Sequence, residues 1–590
     1  MENKKNYVIT EAPEYLDDLI VYEIATKGFT SPDGPESGTF RSLAEKMSYL
    51  EELGINAVWL SGHQQCDARH FYNIWTEYAC IRPDRLDESL GTEEDFKEMV
   101  DCAHRHGIRI LLDVITHGVM ENSPLVQEHP EWFAGGSWGM KDYDWYGGHQ
   151  DLDEWWVNTW FGYVEKFGID GFRLDVAHYR NDLWALIRKK ARDIGKEIIT
   201  IAETGPAIRG VTDILQHGEK LSHNWGRNLA SRLVNNVADY CRDRQERREE
   251  RYYVKVCYED GMVQDSTGDV GLASKETLQL VGMEREMRHV ECEDLGLAYE
   301  NQYGILKIEN VKQKKAIKNV AIRDMEGHCW NSNLEEAEGF LEADFTIEYE
   351  RKGTALYAKF PLRIQDGQVF SIQISCHDNG WEGFPKGENP YFLQGSRYLA
   401  GYSALLAPGV PIFMAGEEFD ADYRPIPWHA PDLYGKGKEG DGTWLYGSWM
   451  DWEQLKIPEK AAMFADMKQL ISIRKKYGYM IKPCKMGEYE RNFCSVGYQA
   501  EEELPIPYVY KEGKELLLIA ANPEEHAVTV AFDLEKVLNP MADYQVTTLF
   551  GGEGTFRSSG EELQKRTYTM KQDKQTEGGL LVLHFQEMEE

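Results

Sequence analysis

The regular alternation of strand-like and helix-like segments is the feature that most limits how this chain can fold. From about residue 19 to residue 203, short apolar segments alternate with amphipathic segments that carry helix-start and helix-stop residues. This kind of repetition is typical of a parallel sheet covered by helices, and five successive repeats favour a closed barrel. The predicted strands are Leu19–Ile24, Asn56–Leu60, Ile108–Ile115, Phe172–Val176 and Ile198–Glu203.

Helix signals lie between these strands. The segment Ser42–Gly54 begins with a serine and ends with a glycine, which predicts one helix with those boundaries. Thr92 is the predicted N-cap of the next helix. A later helix has large apolar residues on one stripe, and these residues are Trp156, Trp160, Val164 and Phe167.

The rest of the chain predicts further units around the barrel. Two more barrel strands are predicted at Val369–Asp378 and Val410–Glu418, whereas no pattern places the sixth strand. The predicted fold is therefore an α/β (β/α)8 TIM barrel with three added units. The predicted ranges are 1–117, 151–250 and 362–480 for the barrel, 118–150 for a short loop domain after strand 3, 251–361 for a β-rich insertion before strand 7, and 481–590 for a C-terminal β-sandwich. The insertion could bind sugar, restrict the cleft or form an oligomer contact.

Acidic residues occur near the ends of four predicted strands, namely Asp113, Asp175, Glu203 and Asp378. In a closed βα barrel the C-terminal strand ends form one mouth, and catalytic groups sit there. Asp175 and Glu203 are one βα repeat apart, so they are expected to lie on adjacent strands at the same level. Crowded carboxylates repel each other, which costs stability unless function or a metal requires them.

Two close carboxylates suit retaining cleavage of a glycosidic bond, in which their separation is roughly 5–5.5 Å. Arg173 and Asp175 are two residues apart on one strand, so their side chains point to the same side. A fixed cation there would lower the pKa of Asp175 and keep it ionised, although a core ion pair is the alternative interpretation. Glu203 ends an apolar strand, in surroundings that are expected to raise its pKa.

Charge and cysteine pattern exclude several classes. The net charge of −35 disfavours binding to nucleic acid and to anionic membranes, whereas neutral sugars are unaffected. Neither the start of the sequence nor any later segment has the apolar length of a signal peptide or a membrane span, which predicts a cytoplasmic protein. The 10 cysteines show no Cys-x-x-Cys pair or zinc spacing, so reduced core thiols are expected.

Several motifs, in this order, make the chain resemble the α-amylase family, glycoside hydrolase family 13. The segment "GFRLD" resembles the fourth-strand motif of that family and implies that Asp175 is the nucleophile and Arg173 its partner. The segment "IAE" resembles the fifth-strand motif and implies that Glu203 is the general acid/base. The resemblance also implies α-glucosidic substrates and retention of anomeric configuration.

Further motifs imply residues that bind the sugar. The segment "CHD" resembles the seventh-strand motif, which implies that Asp378 grips sugar hydroxyls and helps to distort the ring, with His377 beside it. The segment "HFYNIW" resembles the one whose tyrosine, here Tyr72, stacks under the cleaved sugar. Trp381 follows Asp378 and is a candidate for lining the cleft.

The chain departs from the family pattern after the third strand, where it reads "DVITHG". Either His117 takes the position of the usual asparagine and Gly118 that of the usual histidine, or the loop is one residue shorter and His117 is the sugar-binding histidine. We favour a sugar contact for His117. In both alignments the asparagine that commonly binds calcium is missing, and Asp151 alone is a poor calcium site. We therefore expect no cofactor and no structural calcium.

The fourth-strand motif also departs from the family, because "DVAHY" replaces the Lys-His of many amylases. His178 and Tyr179 are therefore expected to shape the leaving-group side differently. The tryptophans of the loop domain either line a pocket or pack within the loop, and they are Trp132, Trp138 and Trp145.

Three functions are compatible with these motifs. The first is a retaining hydrolase of soluble α-linked oligosaccharides. The second is a transglycosylase or isomerase that uses the same glycosyl-enzyme intermediate. The third is a catalytically silent relative that binds sugar or serves as a scaffold. Linkage, chain length and oligomeric state are not set by these motifs.

Overall fold

A computed structural model gives the fold of the chain. It describes residues 7–34, 37–67, 76–136, 139–176, 179–203, 207–216, 252–266, 277–312, 314–324, 329–333, 345–362, 369–373, 377, 400–401, 404–407, 409–419, 421, 424–425, 448–482, 492–522, 524, 526–552, 554–571 and 579–589. Eight strands form a closed barrel, and their order around it is their order in the chain. They are β1 (Val21–Ala25), β2 (Ala57–Ser61), β3 (Arg109–Ile115), β4 (Gly171–Asp175), β5 (Ile199–Ala202), β6 (Ile214–Leu215), β7 (Val369–Ile372) and β8 (Gly409–Met414).

All neighbouring strands of the barrel are parallel, and β8 returns to pair with β1. The predicted closed βα barrel is therefore confirmed. The sixth strand consists of two residues, and Ile214 pairs with both Ile201 and Val369. A strand of this length shows no period of hydrophobicity, which explains why the sequence did not reveal it.

The barrel interior changes from apolar to polar along the strands. Near the N-terminal ends, the inward-facing residues form an apolar cluster that includes Val21, Leu111, Ile201 and Ile214. Side chains two residues further along a strand point to the same side. The residues at those next inward positions are polar, and they are Glu23, Asp113, Glu203 and Gln216. The polar site at the mouth is thus built on an apolar base.

Helices cover the outside of the barrel at Phe40–Glu45, Met47–Leu53, Glu93–Arg105, Gln150–Phe167, Asn181–Asp193 and Pro458–Lys476. The single helix predicted from Ser42 is wrong at its start, because Thr39 is the N-cap and Ser42 completes the capping box. The predicted end at Gly54 is confirmed, since that glycine has φ 101°. The Thr92 cap is also confirmed, and all four predicted stripe residues of Gln150–Phe167 are buried.

Shorter helical segments lie at Glu14–Asp18, Thr26–Thr30, Thr76–Tyr78, Pro124–Glu128, Pro130–Trp132, Glu293–Leu295, Glu417–Phe419, Trp452–Lys456, Gly478–Ile481 and Gly560–Leu563. Two small antiparallel pairs extend the βα loops. One joins Gln64–Cys66 to Cys80–Leu86 after β2, and the other joins Gly118–Met120 to Met140–Asp142 after β3. A third pair joins Arg424–Pro425 to Ser448–Trp449.

The insertion between β6 and β7 consists of two sheets with a shared apolar core. One sheet contains Tyr252–Tyr258, Val263–Asp265, Ile317–Asp324, Cys329–Asn331 and Phe345–Thr346. The other contains Gln279–Cys292, Leu297–Glu309, Glu348–Lys352 and Ala355–Pro361. The insertion contacts the barrel loop after β5, where Arg209 Nη1 lies 2.6 Å from Glu300 Oε2.

The C-terminal part is also built from two sheets around one core. The larger sheet contains Phe493–Ser495, Tyr508–Glu512, Glu515–Asn522, Asp543–Phe550, Thr555–Ser559 and Gly579–Glu587. The smaller contains Tyr498–Gln499, Val528–Phe532 and Thr567–Met570. The described cysteines carry free thiols. Among the described helices, none has the length and apolar character needed to cross a membrane.

Candidate active site

A single buried guanidinium organises the polar end of the barrel. Arg173 on β4 has no exposed side-chain surface. Its Nη1 lies 3.1 Å from Asp113 Oδ1 and 2.8 Å from Asp175 Oδ1, and its Nη2 lies 2.8 Å from Glu203 Oε1. Its Nε donates to Gln216 Oε1 at 3.0 Å. One cation therefore joins side chains from four neighbouring strands or strand ends.

Burial alone would lower the pKa of Arg173. The carboxylates of Asp113 and Glu203 outweigh this effect and raise the pKa well above its ordinary value. Arg173 is therefore a permanent positive charge, and it forms an ion pair with Asp175.

Asp113 lies one layer below the mouth. It is 2 % exposed, and β3 continues for two residues beyond it. Its Oδ2 accepts hydrogen bonds from Trp59 Nε1 at 2.8 Å and from the hydroxyl of Tyr78. These donors and Arg173 satisfy the buried carboxylate, so Asp113 serves to hold the guanidinium in place.

Asp175 and Glu203 meet at the mouth itself. Asp175 is the last residue of β4, and Glu203 follows directly after β5. Glu203 Oε2 accepts the backbone N–H of Val176 at 2.7 Å, so both oxygens of Glu203 are bound on the side of β4. The side chain of Asp175 is 15 % exposed, and that of Glu203 is 9 % exposed. The two carboxylates thus share one guanidinium while part of each remains accessible.

His117 lies beside Asp175. Its Nε2 is 3.6 Å from Asp175 Oδ2, and its Nδ1 is 3.6 Å from Asp142 Oδ1 on the strand Met140–Asp142. The next residue, Gly118, begins a strand whose partner approaches closely, because a Cβ there would lie 2.1 Å from the carbonyl oxygen of Lys141. Gly118 therefore has no room for a side chain, and His117 is the histidine of this loop that faces the mouth. This geometry supports a sugar contact for His117.

His377 is held by three aromatic or acidic neighbours. Its Nδ1 contacts Glu23 Oε1, and its ring stacks on Tyr78 with centroids 5.0 Å apart. The edge of Trp59 lies against it at 5.6 Å. Glu23 and Tyr78 were not predicted as site residues. The signal for Glu23 is one acidic residue within an otherwise apolar strand, whereas Tyr78 lies in a segment without periodicity.

Several predicted site residues lie outside the described residues. They are Asp378, Tyr72, His178 and Trp381, and Trp138 of the loop domain is outside as well. Two tryptophans of that domain are described, and both are packed. Trp132 stacks on His129 at 3.8 Å, and Trp145 Nε1 donates to the carbonyl oxygen of Thr116 at 2.9 Å.

The residues around Asp151 do not fit a calcium ion. His129, Glu131 and Asp151 each place one ligand atom within 4.8 Å of the others, but Asp151 Oδ2 already accepts the Trp132 Nε1–H at 2.9 Å. Calcium takes six to eight oxygen ligands, and this group offers two carboxylates and an imidazole. The expected absence of structural calcium remains a prediction.

Fold and site together define a (β/α)8-barrel protein with paired carboxylates at the C-terminal mouth. The sequence of residues 23–151 matches the alpha-amylase catalytic domain. This match, together with the relatives and solved structures described next, makes the chain similar to the α-amylase family.

Curated relatives match over short stretches. A trehalose synthase from Pimelobacter sp. is 31 % identical over 127 residues, which are 22 % of this chain and 21 % of the relative. An alpha-amylase from Haloarcula japonica is 27 % identical over 223 residues, which are 34 % of this chain and 31 % of the relative. The chain therefore spans less than a third of the length of each of these relatives.

Solved structures match over nearly the whole chain. A maltogenic alpha-amylase from Thermotoga neapolitana has a TM-score of 0.55 at 17 % identity, covering 97 % of this chain and 99 % of that one. A trehalose-6-phosphate hydrolase from Bacillus licheniformis has a TM-score of 0.56 at 14 % identity, covering 97 % of this chain and 100 % of that one. At these sequence identities the likeness shows a similar fold and nothing more.

Proposed function

We propose that the chain is an α-retaining glycoside hydrolase that acts on soluble α-linked oligosaccharides. The single observation that carries the proposal is the position of Asp175 and Glu203 on one guanidinium. Nη1 of Arg173 lies 2.8 Å from Asp175, and Nη2 lies 2.8 Å from Glu203. Two carboxylates that share one guanidinium can face one sugar from the same mouth, as the short separation of retaining enzymes requires.

The proposed reaction has two displacements. In the first, a carboxylate oxygen of Asp175 bonds to the anomeric carbon, the glycosidic C–O bond breaks, and Glu203 gives its proton to the leaving oxygen. In the second, Glu203 takes a proton from water, and the resulting hydroxide oxygen displaces Asp175 from the anomeric carbon. Arg173 and the Val176 N–H stabilise the carboxylate that Glu203 becomes after the first step.

His117, His377 and Asp378 are the proposed sugar-binding residues. Asp142 Oδ1 lies 3.6 Å from His117 Nδ1, and Glu23 Oε1 contacts His377 Nδ1. Tyr72, His178 and Trp381 belong to the same proposal on the basis of the sequence motifs.

The test is turnover of an aryl α-glucoside and of maltotriose, with the product anomer followed by NMR. Asp175→Asn and Glu203→Gln should each lower kcat by about 10³-fold or more, because each removes the nucleophile or the proton donor. A matched control is Asp193→Asn, which alters an exposed aspartate paired with Lys189 at the far end of the following helix. Inversion of configuration, or wild-type activity in either variant, would contradict the proposal.

A second candidate is an isomerase or transglycosylase with the same glycosyl-enzyme intermediate. The match to a trehalose synthase favours this candidate. Incubation with maltose separates the two, since a hydrolase releases glucose and an isomerase yields a rearranged disaccharide. Sugar binding without any turnover would instead support a silent sugar-binding relative.

A further inference from the structure

Glu23 and His377 are in contact inside the barrel mouth. Glu23 lies on β1, and His377 lies in the segment after β7, so β8 separates the strands from which they come. Glu23 Oε1 contacts His377 Nδ1 and also accepts the backbone N–H of His377 at 3.3 Å. The two side chains are 1 % and 3 % exposed. A contact this deeply buried is not weakened by solvent.

The second oxygen of Glu23 is bound to the same segment. Glu23 Oε2 accepts a hydrogen bond from Gln373 Nε2 at 3.3 Å. A buried carboxylate is stable only where donors satisfy it, and here the described side-chain contacts all come from residues 373 and 377. Glu23 therefore ties Gln373 and His377 to β1.

The His377 ring is also fixed on its faces. It stacks on Tyr78 at an interplanar angle of 22°, and Trp59 meets it edge-on at 88°. Tyr78 and Trp59 both donate to Asp113, which in turn pairs with Arg173. The orientation of His377 is thus coupled to the cluster that holds Asp175 and Glu203.

We infer that Glu23 is a positioning residue for His377, an inference that rests on the proposed function. By accepting a hydrogen bond from Nδ1–H, Glu23 sets the tautomer and the orientation of the imidazole. Nε2 is then the ring nitrogen by which His377 contacts a sugar hydroxyl. Glu23 itself acts through His377 and does not touch the sugar.

A double-mutant cycle tests this inference. Glu23→Gln keeps the shape of the side chain but removes its charge, and it should lower kcat/KM for an aryl α-glucoside by about 10- to 100-fold, as losses of an orienting partner do. In a His377→Ala background the same change should alter kcat/KM by less than about twofold, because the group that Glu23 orients is gone. Equal losses in both backgrounds would overturn the inference.

Two further variants guard against a folding artefact. Glu418→Gln is the matched control, since Glu418 is a fully buried glutamate whose hydroxyl donors are Tyr22 and Tyr49. The Glu418→Gln variant should keep kcat/KM within about twofold of wild type, because none of the described contacts of Glu418 is with a residue of the mouth. Glu23→Asp retains the charge but shortens its reach, so its loss should be smaller than that of Glu23→Gln, and the reverse order would count against the charge-based role.

A spectroscopic reading is independent of turnover. With ¹⁵N-labelled histidine, the resonance that disappears in His377→Asn should report a protonated Nδ1 in the wild type and a changed Nδ1/Nε2 proton distribution in Glu23→Gln. The same distribution in both proteins would overturn the inference. A wild type that shows this signal but cleaves no α-glucoside would overturn the proposed function while leaving the positioning contact established.

Discussion

The backbone N–H of Val176 donates to Glu203 Oε2 at 2.7 Å while Val176 holds a left-handed conformation with φ 50°. A β-branched residue seldom adopts this conformation, which costs on the order of 1–3 kcal/mol. The strained residue lies between the two carboxylates of the proposed reaction. Thr116 Oγ1 holds the turn, because its one hydroxyl hydrogen is shared between the carbonyl oxygens of Asp175 at 2.5 Å and Val176 at 2.8 Å.

We expect Val176→Gly and Val176→Pro to differ sharply. Glycine keeps the N–H and adopts positive φ without strain, so kcat/KM should stay within about threefold of wild type. Proline removes the donor and fixes φ near −65°, so kcat/KM should fall by about 100-fold or more through misplacement of Glu203. Steady-state kinetics on an aryl α-glucoside compares them. Equal activity of the two variants would mean that the turn does not orient Glu203.

Arg173→Lys should be damaging to both stability and turnover. An ammonium cannot reproduce the fork that reaches Asp113, Asp175 and Glu203 together, and it leaves buried carboxylates under-compensated. We expect a loss of about 3–5 kcal/mol in the free energy of unfolding, as for other broken buried ion pairs. Denaturant titration measures it.

The control for this variant is Arg105→Lys. Arg105 Nη2 lies 2.6 Å from Glu98 Oε1 on the helix Glu93–Arg105, and their side chains are 59 % and 65 % exposed. This variant should lose less than about 1 kcal/mol. Similar losses for both arginines would contradict the central role of Arg173.

Gly118→Ala should disturb the loop that carries His117. The added methyl group would lie 2.1 Å from the Lys141 carbonyl oxygen, so the pair Gly118–Met120 and Met140–Asp142 must shift. Because a 1 Å displacement of a binding group can cost about 100-fold, we expect a loss of that order in kcat/KM. KM and kcat from initial rates, together with the melting temperature, are the measurements.

Gly162→Ala is the matched control for Gly118→Ala. A Cβ at Gly162 would meet no atom within 4 Å, and the residue lies inside the helix Gln150–Phe167. Alanine should stabilise that helix by about 0.5–1 kcal/mol without changing kcat/KM. If Gly118→Ala behaved in the same way, close approach at Gly118 would not be what the site requires.

The stability of the protein should depend on the protonation of Glu418. Burial raises the pKa of Glu418 to about 7, although Tyr49 and Tyr22 donate to it. Between the ordinary glutamate pKa near 4.5 and about 7, the folded state binds more protons than the unfolded state, so the free energy of unfolding falls as pH rises through this range. Glu418→Gln should flatten this slope. Chemical denaturation at pH 5 and pH 8 measures the slope. An unchanged slope in Glu418→Gln would mean that another group causes the pH dependence.

The barrel and the carboxylate pair could be predicted because both are encoded locally. Each strand of the barrel except β6 is a mainly apolar segment, and Arg173 and Asp175 lie two residues apart on one of them. The contact between Glu23 and His377 could not be predicted in this way. It joins β1 to the segment after β7, and only closure of the barrel brings the two together.

The sequence also could not predict that Tyr78, Gln216 and Asp142 lie at the mouth. Each is brought to the mouth by a loop or a very short strand, where no periodicity marks an inward-facing position. The sequence also left two alignments open for His117, and in the structure its Nε2 lies 3.6 Å from Asp175 Oδ2. A sugar contact for His117 stays a prediction.

The insertion divides the barrel between β6 and β7, and this has a consequence for synthesis on the ribosome. Six strands emerge before the insertion, but the two-residue strand β6 cannot find β7 until the whole insertion has been made. The nascent sheet of six strands must therefore wait with open edges, and exposed strand edges are surfaces on which aggregates form. Pairing of Ile214 with Val369 and of β8 with β1 would be the late events that complete the barrel mouth.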